Sequence, residues 1–442
     1  MKWLLGTFVL LVIGLVFNLG LLVYGMYAML GVLLVSRYLA WEWTGHLSAE
    51  RSCDRDSVQV GESVRVEVRV LNLGRLPVPW VLLEDALPLD AMRQHPPRLQ
   101  VNGTALSLAQ LKARSEKTLS YEVTFLARGY YQFGPLLLES GDLFGLHRRY
   151  RVVTAPHCVL VYPKVVSLEG YDIASRRPMG EVRMSHRLFE DPTRIAGVRP
   201  YQKGDPLNRI HWRATARTGQ LHSKTYEPSC VAGATLVLDF HTASFAMKNA
   251  SNRAELAITT AAALANAVYQ MGEQVGLVTN GRDAAERIRY QGWRQEFRTR
   301  AMARAKATAQ ERSDRLQPLR VETQRGTAQL DHILTTLARL ELTDGFTLPQ
   351  LLAETTSRLP RNATVIAILP SVSEEAAIAL GTLRRSGYAV TAVLVMFGGE
   401  SEYFDWAEPP EWAARLLAEG IDFRRVDDEA SLSRLCAERI LR

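Results

Sequence analysis

At 442 residues the chain is too long for one ordinary hydrophobic core, which predicts two or three domains. An apolar content of 47% excludes a disordered chain, and the cysteines Cys53, Cys158, Cys230 and Cys436 lie too far apart for a zinc knuckle or a disulfide framework. A net charge of +7 suits an anionic membrane surface or an acidic partner and does not by itself imply nucleic acid.

The N-terminus comes first. From Trp3 to Val35 no residue is charged, a run longer than the roughly 20 residues one helix needs to span a bilayer. Asn18 and Gly20 fall where a tight turn would sit. The spacing predicts a transmembrane helical hairpin within residues 1–46, with helices at 3–17 and 20–36. Tyr38, Trp41 and Trp43 would form an interfacial belt, and Arg37 would snorkel. Lys2 and Arg37 flank the pair while the intervening loop is uncharged, so the positive-inside rule puts both termini in the cytoplasm. The expected location is therefore the inner (cytoplasmic) membrane, with the soluble domains on the cytoplasmic side. A signal peptide fits poorly, because the apolar run is too long and no small-residue cleavage site follows. A single long tilted helix stays open as the alternative and would place the rest of the chain outside.

Residues 47–162 read as an Ig-like β-sandwich. In "VQVGESVRVEVRV", Val58, Val60, Val64, Val66, Val68 and Val70 share one face, while Arg65, Glu67 and Arg69 share the other. Leu119, Tyr121, Val123 and Phe125 alternate in the same way. Short strands of period two between turn signals suggest a spacer or a binding module.

Residues 163–230 hold the densest stretch, "YQKGDPLNRIHWRATARTG". Asp205 before Pro206 reads as the start of a helix over 205–217, with Gly219 as its stop. Arg209, Arg213 and Arg217 then form one basic stripe, and Trp212 beside it would bury its ring against a neighbouring domain. Three uses stay open: a purely structural helix, a surface for an anion or an acidic partner, and catalysis by Asp205 or His211. Arginine favours the second, because its planar fork matches carboxylate and phosphate.

Residues 231–442 read as a doubly wound α/β domain. "ATLVLDF", "QVGLVTNG", "ATVIAILP" and "AVTAVLVMFG" are buried strands alternating with helical stretches such as "RAELAITTAAALANAVYQMG". A ligand would sit at the carboxyl ends of the strands. Residues 282–325 interrupt the pattern with twelve Lys/Arg against six Asp/Glu, which predicts a basic helical excursion. That surface is solvated, or it docks acidic lipid or protein. Nucleic acid ranks last among the partners considered for it. The chain has no phosphate loop, HExxH, GxSxG or GxGxxG motif.

The signature stretch resembles the bacterial domain-of-unknown-function 58 family. Arg199, Tyr201, Gly204, Asp205, Ile210, Trp212, Ala216 and Arg217 match its hallmark, and Pro200 stands where an acidic residue is usual. "RGYYQFGPLLLESGDLFGLHRRY" is similar to the segment that precedes the hallmark. The resemblance implies a binding role for Arg199, Tyr201, Gly204, Asp205, Arg209, Ile210, Trp212, Arg213 and Arg217. It also implies a von Willebrand A-like C-terminal domain, and a MoxR-type AAA+ ATPase as partner, with a transglutaminase-like membrane protein as another. Domains of that kind can hold Mg²⁺ through Asp-x-Ser-x-Ser. Here Asp239 stands, but His241 and Ala243 replace both serines, and Thr242 and Ser244 are out of register. The expectation is a membrane-anchored, non-catalytic scaffold with no cofactor. The alternative is a metal-dependent or hydrolytic enzyme whose ion sits on Asp239 in a degenerate site with Thr242 and Ser244.

Overall fold

The structure, a computed structural model, describes residues 2–17, 19–142, 145, 147–168, 190–201, 210–228, 233–245, 249–290, 317–361, 363–397 and 410–435. Two compact units divide the chain. One comprises 1–164 with 283–313 and 335–340; the other comprises 165–282 with 314–334 and 341–442.

The first unit begins with helices α1 (Lys2–Val16) and α2 (Gly20–Gly45). They pack on each other across Gly14, where an added Cβ would strike Leu22, and Leu19 N–H donates to the Gly14 carbonyl at 2.9 Å. Asn18, expected at the turn, lies outside the described residues. Among the described residues α2 alone is long and apolar enough to cross a membrane, by length and composition; α1 is shorter. The second helix does not stop at 36. It continues to Gly45 because Leu33, Ser36, Ala40, Trp43 and Thr44, at helical spacing, are buried. Trp43 is therefore not a belt residue: it belongs to the sandwich core, whereas Tyr38 and Trp41 stay exposed. Arg151 fixes the helix end, donating to the carbonyls of Thr44, Gly45 and Leu47 at 3.0, 3.0 and 3.2 Å. A cation on the last carbonyls completes orphan acceptors and suits the helix dipole.

The sandwich strands are β1 (Leu47–Cys53), β2 (Ser57–Gln59), β3 (Ser63–Asn72), β4 (Val78–Asp85), β5 (Leu99–Gly103), β6 (Leu106–Leu111), β7 (Glu116–Phe125), β8 (Gly129–Phe133), β9 (Leu136–Gly141), β10 (Arg148–Val152) and β11 (His157–Tyr162). A short helix, α3 (Leu89–Arg93), lies between β4 and β5. The sheets run β1-β3-β7-β5, β10-β9-β4-β6 and β2-β11-β8. Val64, Val66, Val68 and Val70 of β3 share one core with Val81 and Leu83 of β4 and Leu119, Tyr121, Val123 and Phe125 of β7. Val60 departs from the expected face: it is 37% exposed, because the chain turns at Gly61, whose φ is 95°.

Charge is buried in this core. Asp85 pairs with Arg51 and accepts the Tyr121 hydroxyl at 2.6 Å. Arg51 also donates to the carbonyls of Phe133 and Ala155 at 3.2 and 2.8 Å. A Cβ on Gly134, at φ 77°, would collide with that guanidinium, so the network dictates glycine there. Burial pushes the Asp85 carboxyl up, opposed by Arg51 and the Tyr121 hydroxyl. Burial and then the Asp85 charge raise Tyr121; burial carries the neighbouring Cys53 thiol up to about 11. Arg128, also buried, donates to the carbonyls of Leu337, Ala338 and Leu340 at 2.9, 3.3 and 3.0 Å, within the 335–340 segment of this same unit.

The second unit holds the hairpin β12 (Glu190–Pro200) and β13 (His222–Pro228), with α4 (Trp212–Thr218) between its strands, and a six-stranded sheet. The sheet contains β14 (Gly233–Leu238), β15 (Gln274–Thr279), β17 (Leu319–Gln324), β19 (Thr364–Leu369), β20 (Val390–Val395) and β21 (Asp422–Val426). Two-residue strands, β16 (Arg282–Asp283) and β18 (Leu340–Glu341), interrupt the count. The order is β17-β15-β14-β19-β20-β21, parallel except that β17 runs against β15. Helix α5 (Ala250–Gln270) buries Ala254, Ala257, Ala261 and Ala265, small residues that admit close packing, and Gly272 follows its end at φ 72°. Ser373 caps the helix Glu374–Arg385. The basic excursion is shorter than 282–325: 319–324 is the antiparallel edge strand, whose Val321 is buried, and 291–316 lies outside the described residues.

Candidate functional site

Two places gather the residues expected to carry function, both in the second unit. The first is the connection between β12 and β13. Its ends are tied, with Tyr201 N–H donating to the Leu221 carbonyl at 2.9 Å and His211 N–H to the His222 carbonyl at 2.8 Å. Ile210 is 5% exposed and bridges Ser223. These ladder bonds keep 210–211 out of a helix. The expected helix over 205–217 is consequently Trp212–Thr218, with His211 as its cap: His211 Nδ1 accepts from Ala214 N–H at 3.0 Å. That nitrogen therefore serves the helix start. Gly219, at φ 71°, ends the helix, its N–H donating to the Thr215 carbonyl. Gly204, Asp205 and Arg209 lie outside the described residues.

Trp212 does not bury its ring. It is 68% exposed, and Arg213 and Arg217 beside it are exposed as well. Arg199, on β12, donates to the Pro200 carbonyl at 3.3 Å. An exposed tryptophan flanked by arginines has the composition of a protein-docking hot spot.

The second place is the carboxyl end of β14, the third strand in the order. Asp239 is 3% exposed. Its Oδ2 accepts the Ser244 hydroxyl at 2.6 Å; its Oδ1 accepts Asn280 Nδ2 at 2.9 Å and His241 N–H at 3.2 Å. Asn280 also accepts Phe240 N–H at 2.6 Å and donates to the Phe346 carbonyl at 2.9 Å. The Thr242 hydroxyl and N–H both donate to the Thr343 carbonyl, at 3.0 and 2.8 Å. Ser244, out of register for a Ser-x-Ser pattern, reaches Asp239 because Thr242–Phe245 winds as a 3-10 turn. Thr242 does not reach it; its hydroxyl is spent on the Thr343 carbonyl.

Chemically this is a carboxylate held by three donors. A hard cation needs a shell of free oxygens. Among the described residues no three or more of His, Cys, Asp and Glu converge. Sequence reasoning missed Asn280, whose amide just past β15 was the available signal, and Thr343, whose contribution is a backbone carbonyl that carries no sequence signal. It also missed Arg253, fully buried on α5 and donating to the Pro370 carbonyl at 3.3 Å.

Residues 197–346 match the model of a family described as "Protein of unknown function DUF58". The match covers the signature connection and the Asp239 cluster together, and this part of the chain is similar to that family. The uncharacterized protein YeaD of Bacillus subtilis (strain 168) is 24% identical over 260 residues, 58% of this chain and 62% of the relative. The aligned part thus falls short of two thirds of that relative's length. Among solved structures, the CARDB domain of the PF1109 protein from Pyrococcus furiosus covers 26% of this chain and 91% of its own, at 23% identity and a TM-score of 0.17. Proximal thread matrix protein 1 from the mussel byssus covers 46% and 45%, at 10% identity and a TM-score of 0.28. Scores this low relate neither fold to the chain.

Proposed function

We propose that the chain is a membrane-anchored, non-catalytic scaffold that presents a von Willebrand A-like domain to a cytoplasmic partner. The observation that carries this reading is the engagement of Asp239 by Ser244, Asn280 and His241 at the strand-end position where doubly wound sheets take ligands. A carboxylate so engaged ties the loop after β14 to the end of β15. The six-stranded sheet with its mostly parallel strands supports the von Willebrand A-like assignment. Helix α2, with its apolar length, supports the anchor, and the positive-inside pattern supports the cytoplasmic side.

In this reading Trp212, Arg213 and Arg217 dock an acidic surface. The partner we propose is a MoxR-type AAA+ ATPase, with a transglutaminase-like membrane protein as a further member of the assembly. The reading uses no metal. Its test is affinity capture of the full chain from solubilised membranes in the presence of ATP, of ADP and of no nucleotide. Recovery of an AAA+ ATPase that Trp212→Ala reduces supports the proposal; absence of one in all three states sinks the partner.

A further inference from the structure

We propose that the cleft between α2 and the start of β10 binds the headgroup of an anionic phospholipid. The inference rests on the reading that α2 crosses the bilayer, and adds a ligand to it.

The cleft belongs to the first unit and has a volume of about 740 Å³, within the usual range of ligand sites. Arg37, Tyr38 and Trp41 line it from α2; His147, Arg148 and Arg149 line it from the hairpin side. No carboxylate is among its lining residues. Arg37 and Arg149 make no ion pair among the described residues, and Arg148 shares Glu139 at a long 3.4 Å. The His147 Nε2 is buried and lacks a hydrogen-bond partner among the described residues. The site is therefore rich in exposed cationic donors with few protein acceptors, and guanidinium forks fit phosphate oxygens in bidentate fashion.

Depth identifies the phosphate as a lipid's. The uncharged stretch of α2 ends at Ser36, so Arg37 marks the edge of the hydrocarbon, and the exposed rings of Tyr38 and Trp41 sit where aromatic belts meet headgroups. A second, mostly apolar groove of about 300 Å³ follows the same helix past Tyr27, Gly31 and Val35, with Asp142 of the sandwich in its lining as well. Nothing lies within 4 Å of where a side chain on Gly31 would project. The groove shares no lining residue with the cleft, so the proposed site takes the headgroup alone.

The experiment uses the full chain in detergent, with dioleoyl phosphatidylglycerol or dioleoyl phosphatidylcholine added and bound lipid counted by native mass spectrometry. We expect phosphatidylglycerol to be preferred. The preference should fall about fivefold for each of Arg37→Gln and Arg149→Gln. In the unaltered chain it should weaken as salt rises from about 50 to 500 mM, because partly exposed charges are screened. Glycerol phosphate, which lacks the chains, should not displace the lipid. Equal binding of the two lipids, a preference indifferent to salt, or full displacement by glycerol phosphate would overturn the proposal. Carbonate extraction of membranes separates it from the anchor: a chain that resists extraction yet shows no headgroup preference refutes the lipid site alone, while an extractable chain refutes both.

Discussion

Asp239 gathers three donors, so removing its carboxylate strands an amide, a hydroxyl and a backbone N–H in a buried place. Each stranded group costs on the order of 1–3 kcal/mol before relaxation. Asp239→Ala should therefore destabilise the second unit by about 3 kcal/mol in urea unfolding, and Mg²⁺ should not move the midpoint of the unaltered protein. A midpoint raised by Mg²⁺ in the unaltered chain but not in the variant would restore the metal-dependent reading. Cys53 makes a prediction of a different kind. Its thiol is carried by burial from 9.0 to about 11, so between those values the unfolded chain has released a proton that the folded chain retains. Stability should decline as pH rises from about 9 to 11. Tyr121, also raised, extends the decline to higher pH. Melting temperature against pH should show the fall, and Cys53→Ala should shallow its first part.

Helix α4 is short and stands on a strand ladder, so its exposed residues are dispensable for folding. Trp212→Ala should leave the melting temperature within the small range typical of surface changes, while costing about 2 kcal/mol of partner binding by calorimetry. The cap on α2 behaves oppositely. Arg151→Met frees three carbonyls at Thr44, Gly45 and Leu47, and hydrogen exchange should rise over the last turn of the helix. These two helices also mark how far the sequence could be read. Alternation in Val64–Val70 announced β3, because period two with one apolar face has few other solutions. The apolar runs announced β14 and β19 for the same reason. Helix α2 was foreseen only to 36, because Trp41 and Trp43 suit an interface as well as a core, and only packing separates them. The start of α4 was misplaced because Asp205-Pro206 is a strong local start signal, whereas the bond from His211 to His222 is tertiary. At Asp239 the carboxylate was legible, but Asn280 is 41 residues away and reaches it only because β15 lies beside β14.

For the molecule as a whole, the proposed orientation makes a plain prediction. A C-terminal reporter that is active only in the cytoplasm should be active on the full chain, and one active only after export should be silent. The reverse outcome removes a cytoplasmic ATPase from consideration, since it could not touch the domain. Helix α2 has 26 residues, about 39 Å of rise against a hydrocarbon thickness of roughly 30 Å. Its surplus turns are the ones gripped by Arg151 and by the burial of Ala40, Trp43 and Thr44. No slack tether intervenes before β1, which starts two residues after the helix ends. With α2 in the bilayer, thinning or tilting of the lipid is not absorbed by a loose joint: it swings the sandwich like a boom fixed to its mast.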